Sequence, residues 1–118
     1  MKTQMLNRAA LTVIPKPPYI EWANSLDDLE PKLDINDPHY EFTVYLVDEV
    51  ADEAAVARAL RRHYPYIFEH ELVAWHRDGK DWPQQRDFRT FKAWFEVKVS
   101  SVVLDLCKRP FETEELEI

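Results

Sequence analysis

The sequence predicts a two-layer α+β domain, a small, mostly antiparallel sheet with helices packed on one face. Three observations carry that expectation. From Phe91 to Val99, apolar Phe91, Ala93, Phe95, Val97 and Val99 alternate with Lys92, Trp94, Glu96 and Lys98, the two-residue period of a strand with one buried side. Phe42 to Val47 (FTVYLV) is a second β-rich run. Ala54 to His63 is instead rich in Ala, Leu and Arg, with Val56, Ala59, Leu60 and Tyr64 as a helical stripe. At 118 residues and 46% hydrophobic composition, residues 1–118 read as one domain with a core that needs no disulfide, a short frayed N-terminus and an acidic C-terminal tail.

Taken in order, Arg8 to Ile14 (RAALTVI) reads as a strand entering the sheet near its edge, with 9–14 in the sheet, stopped by Pro15, Pro17 and Pro18. A short helix then spans about 19–28, with Ile20, Ala23, Leu26 and Leu29 at three-residue spacing, and Pro18 can seat its first turn. Glu30 to Tyr40 is a polar connector in which Asp34, Asn36 and Asp37 suit turns. Strand 42–47 follows, with Phe42, Val44 and Leu46 on one face and Tyr45 and Val47 on the other, so it is expected inside the sheet or covered on both sides. Asp52 is placed to cap a helix over 53–64, and Pro65 ends or kinks it. A second helix over 66–77 carries Phe68, Leu72 and Trp75 on one face and closes at Asp78-Gly79. One helical turn is expected around Gln84 to Arg89, then a strand region over 91–106, bent or bulged at Ser100-Ser101. Pro110 and the glutamates after it make a frayed end.

Charge narrows the partners. The chain carries 22 acids against 15 Lys and Arg, a formal charge of -7, and the distribution is uneven. Residues 21–53 hold eleven acids and one lysine, and the tail from 110 holds four glutamates. These segments repel a phosphate backbone, so nucleic acid is not the expected partner, although Arg58, Arg61, Arg62, Arg77, Arg86 and Arg89 would need one continuous positive face to reverse that. No apolar run approaches the ~20 residues of a membrane span. The opening MKTQMLNRAALTVIP is too polar in its middle for a secretion signal. The one cysteine, Cys107, reads as a small hydrophobe in a reducing compartment, so the expected location is cytoplasmic.

The single glycine, Gly79, removes the dinucleotide fingerprint, the phosphate loop and the nucleophile elbow together. His70-Glu71 opens like a zinc hydrolase motif, but Ala74 stands where the second histidine belongs and His76 points elsewhere on the helix. No catalytic residue, cofactor or metal is therefore expected. What remains is an acidic and aromatic set, Glu21, Trp22, Glu71, Trp75, His76, Trp82 and Trp94, suited to a pocket rim or an interface. Glu71 is read as a buried carboxylate or, preferably, as the partner of Arg58, Arg86 or Arg89. Trp94 is read on the strand face opposite Phe95, among Lys92, Glu96 and Lys98, either covered by a helix or exposed as an interface anchor.

Together, PKPPYIEW, YPYIFEHELVAW, DWPQQRDFRTFKAWFEV and SSVVLDL resemble a family of small uncharacterised bacterial proteins without an established function. The resemblance covers nearly the whole chain and implies no catalytic residue, cofactor or partner. The functional expectation is a non-catalytic protein that works by protein–protein contact, as a homodimer or with another protein. The alternative is a small-molecule-binding domain or enzyme that uses an acidic and aromatic pocket.

Overall fold

The strands expected at the edge and inside the sheet exchange places: RAALTVIP, with apolar side chains at most positions, is the central strand, and TVYLVD lies at the edge with alternate side chains exposed. The computed structural model describes residues 2–26 and 32–117. Its elements are β1 (Gln4–Met5), β2 (Arg8–Pro15), α1 (Pro17–Ser25), β3 (Thr43–Asp48), α2 (Glu53–Trp75), α3 (Phe88–Trp94), β4 (Phe95–Ser100) and β5 (Leu104–Asp105), with a single 3-10 turn at Gly79–Asp81. The main sheet has the order β3-β2-β4, antiparallel throughout, and β1 pairs with β5 in a second, two-stranded sheet. This is a small α+β fold with three helices packed against antiparallel sheets. Since β3 and β4 both oppose β2, they run in the same direction, and α2 with α3 forms the crossover between them.

Ala9, Leu11, Val13 and Pro15 of β2 are buried on the helix side. In register with them stand Val47, Tyr45 and Thr43 of β3, and Val99, Val97 and Phe95 of β4. Phe68, Ile67 and Leu72 of α2 and Phe91 of α3 complete the core. On the opposite side of the sheet, Val44 and Leu46 stay about half exposed.

The prolines shape the helices differently from their sequence reading. Pro17 and Pro18 occupy the first positions of α1, where the missing N–H groups would have had no partner, so the helix starts before Tyr19. It ends at Ser25, whose hydroxyl donates to Trp22 O at 2.8 Å, and the expected extension to Leu29 falls outside the described residues. Pro65 does not end its helix: α2 is one helix of 23 residues, not two. Pro65 and Arg61 both lie on the exposed side, where water can serve the Arg61 carbonyl that Pro65 cannot. Asp52 caps α2 as expected, accepting from Ala55 N at 2.8 Å. In the connector, Asp34 and Asp37 accept from Asn36 N and His39 N, at 2.9 and 2.8 Å.

The largest correction concerns 91–106. Residues 88–94 are helical, and the strand begins only at Phe95. Asp87 starts this helix, accepting from the Thr90 hydroxyl at 2.7 Å and Thr90 N at 2.8 Å, bonds that hold its carboxyl down at about 2. Phe91 and Phe95 are four residues apart, so they satisfy a helical and a two-residue period alike. Phe88, three residues before Phe91, resolves the ambiguity, because it stacks with Phe91 only if the chain coils there.

Phe68 is fully buried against the rings of Phe91, Trp94 and Phe95, at centroid distances of 6.0, 5.7 and 5.4 Å. Phe68→Ala should cost about 3–5 kcal/mol. Urea unfolding checks it: the midpoint should fall steeply with an unchanged slope, and a loss below about 1 kcal/mol would mean that α2 and α3 do not share this core.

Candidate functional site

The polar centre of the molecule is Glu71, the single buried charged residue among those described, at 5% exposure. It sits in α2 one residue before fully buried Leu72, so its side chain enters the layer between helix and sheet. Tyr45 of β3 donates its hydroxyl to Glu71 Oε2 at 2.6 Å. Tyr45 Oη also lies 2.8 Å from His70 Nδ1, and His70 Nδ1 lies 3.6 Å from Glu71 Oε2. Tyr19 of α1 donates to the Glu71 backbone carbonyl at 2.6 Å. The expected pairing of Glu71 with Arg58, Arg86 or Arg89 is not what forms; phenols and an imidazole take that place. Arg86 instead donates to Pro83 O at 2.7 Å and lies over the Trp82 ring.

One phenolic proton serves one acceptor. With the Tyr45 hydroxyl donating to Glu71, Tyr45 Oη accepts from His70 Nδ1–H, and in that tautomer Nε2 is left as an acceptor. The His70 side chain is 24% exposed, so this relay runs from the interior to the surface. Tyr66 stacks on His70 from one turn earlier, with ring centroids 6.2 Å apart and an interplanar angle of 8°. Tyr45 meets His70 edge-on at 5.7 Å. The result is a partly exposed imidazole framed by two tyrosines and backed by a carboxylate.

The residues singled out in the sequence divide into separate groups. Trp22, Trp75, His76 and Trp82 converge on the loop after α2 and on α1. There Trp22 Nε1 donates to Asp81 O at 2.9 Å, Trp75 Nε1 to Ala23 O at 3.1 Å and Trp82 Nε1 to His76 O at 2.8 Å. His76 Nε2 closes the loop on Asp81 Oδ2 at 2.9 Å. Three indoles thus clip backbone to backbone, a structural use of the donor that tryptophan carries. Glu21 is exposed on α1. Trp94 does not stand on the open sheet face: it is the last residue of α3 and packs on Tyr19, Trp22 and Phe68 at centroid distances of 6.2, 6.1 and 5.7 Å. Its expected neighbours Lys92, Glu96 and Lys98 belonged to a strand register that the helix replaces.

Sequence reasoning missed Tyr19, Tyr45 and Tyr66 as site residues. Tyr45 carried the one available signal, a phenol at an inward position and the one aromatic of a strand otherwise built from aliphatic side chains, Thr43 and Asp48. Other charged groups line clefts elsewhere: Arg58 and Arg62 lie beside Asp48 and Glu49, and Arg61, Arg89 and Lys92 lie beside Asp87. Among the described residues no three His, Cys, Asp or Glu side chains are grouped to hold a metal ion, and no helix is long and apolar enough to cross a membrane.

Burial first, then the charge of Glu71, pushes Tyr19, Tyr40 and Tyr45 above the ordinary tyrosine value of 10.0. These phenols hold their protons in the folded chain where the unfolded chain has lost them. Stability is therefore fully present below pH 10.0 and falls as pH rises above it. Absorbance at 295 nm and circular dichroism, followed together through an alkaline titration, should show Tyr19 and Tyr45 ionising only as the fold melts. Their ionisation in a still-folded chain would contradict the burial described.

No family model, curated protein or solved structure matches the chain.

Proposed function

We propose that the chain is a small-molecule-binding domain that takes small organic cations at the aromatic and acidic surface around His70, Tyr45 and Tyr66. The observation that carries this reading is the bridge from buried Glu71 through Tyr45 to a partly exposed imidazole. His70 Nε2 offers an acceptor, Tyr66 offers a ring face, and the carboxylate behind them supplies negative potential that burial leaves poorly screened. An N–H-bearing cation satisfies all three at once. An anion would face the carboxylate without a described cation of this cluster to offset it.

Recognition suits these groups better than turnover. The Tyr45 phenol holds its proton, and the carboxylate is already occupied as an acceptor. The three tryptophan clips hold α1 and the loop after α2 against the helix that carries His70 and Glu71, which keeps the site's supporting shell in place.

Titration of isotope-labelled protein with methylammonium, guanidinium and tetramethylammonium, and separately with acetate and benzoate, tests the reading by NMR. The cations should produce saturable shifts at Tyr45, Tyr66 and His70, and Glu71→Gln and His70→Ala should each weaken them about tenfold or more, the equivalent of ~1.4 kcal/mol. Equal responses to the carboxylates, or no response at these residues, would refute it.

A further inference from the structure

The two sheets belong to one long strand pair. Gln4 and Met5 oppose Asp105 and Leu104, Leu6 N donates to Val103 O at 2.8 Å, and the ladder resumes at Ala10 opposite Ser100. Between these ladders three residues, Asn7 to Ala9, face two, Ser101 and Val102, a one-residue excess of the kind that bends a strand. Beyond the bend the ribbon β1–β5 leaves the main body as an arm. The molecule is accordingly elongated, 51 × 31 × 28 Å with a radius of gyration of 16.1 Å, whereas a compact chain of this length has about 13–14 Å.

One face of the arm is apolar and uncovered. Met5 and Leu104 are cross-strand partners, and Val102 and Leu106 flank Leu104 at two-residue spacing. They are 62%, 54%, 62% and 82% exposed. A two-stranded ribbon this short is marginal in water by itself. Side chains of these sizes and exposures leave on the order of 450 Å² of apolar surface, about half of the ~800 Å² that each partner buries in a standard interface.

Charge indicates what covers it. A cleft of about 790 Å³ that Leu106 shares with the apolar face brings Lys2, Lys108 and Arg109 together with Phe111. The chain then runs on through Glu112, Glu114, Glu115 and Glu117, with Leu116 exposed among them. Among the described residues none of these glutamates makes an ion pair within its own chain. A basic segment followed directly by an acidic one is complementary to itself when two copies lie antiparallel, as a two-fold axis requires.

We propose that the arm is a self-association surface. Two copies pack Met5, Val102, Leu104 and Leu106 together across a two-fold axis, and the acidic tail of each lies against Lys2, Lys108 and Arg109 of the other. The apolar contact supplies affinity and the charges set the antiparallel direction. The tail, with Phe111 and Leu116, contributes the area that the arm alone lacks.

Sedimentation of the full chain across the micromolar range, with and without added salt, tests this. The dimer mass is expected, weaker at high salt. Leu104→Asp and Leu106→Asp should each weaken association about tenfold or more while leaving the unfolding midpoint of the monomer in place. Leu106 is too exposed for its replacement to damage a core. The pair Lys108→Glu with Arg109→Glu should weaken association, as should Glu114→Lys with Glu115→Lys, and the four together should restore it. A nitroxide on Cys107, the sole cysteine, should give one narrow distance between copies. A strict monomer at high micromolar concentration would overturn the proposal, as would a dimer indifferent to both leucine variants or charge reversals that do not rescue one another.

Discussion

The fold depends on how α2 is fixed to the sheet, and that fixing is concentrated at Glu71. Its carboxylate accepts from Tyr45 on β3 and its backbone carbonyl accepts from Tyr19 on α1. Two phenols on separate elements thus grip one residue of the long helix. A buried carboxylate is costly unless its acceptor capacity is used, and the short bond from Tyr45 uses it. The apolar core would accept α2 at several small rotations. The pair of bonds to Glu71 selects one, and with it the placement of His70 at the surface.

Around that pin the aromatic residues act at two levels. Tyr19 reaches Glu71 with its hydroxyl while its ring packs against Trp22, Trp94 and Phe95. The indole donors of Trp22, Trp75 and Trp82 bind backbone carbonyls of α1 and of the loop after α2. The chain has one glycine, and its loops are held by such side-chain bonds and by the carboxylates of Asp34, Asp37 and Asp78. Four tryptophans in 118 residues therefore find a largely structural explanation, and the chemistry falls to the tyrosines and His70.

Much of the fold was legible from local signals. Asp52 announced the start of α2 through its cap, FTVYLV announced β3, and the prolines after Ile14 announced the end of β2. Where the reading failed, two signals of comparable strength competed. Phe91 and Phe95 fit either period, and Asp87 with Thr90 decided for a helix through a cap that a hydrophobic pattern does not display. Proline normally breaks a helix, yet at Pro65 the carbonyl left without its partner faces water, and the helix runs on. The site was less legible. Glu71 was identified as a buried carboxylate candidate, but the donor to its carboxylate comes from β3, 26 residues earlier, and pairing across a sheet layer leaves no spacing rule in the sequence. The tryptophans drew attention by number, whereas Tyr45 stood alone in its strand.

The grip on Glu71 makes a quantitative claim about two side chains. A double-mutant cycle that combines Tyr45→Phe with Glu71→Met, read by urea unfolding, isolates their interaction from the other contacts of each. A hydrogen bond to a buried charge predicts a coupling of about 1.5–3 kcal/mol, with the double variant far less damaged than the sum of the single ones. Additive losses, with a coupling below about 0.5 kcal/mol, would show that Tyr45 and Glu71 do not hold the helix to the sheet.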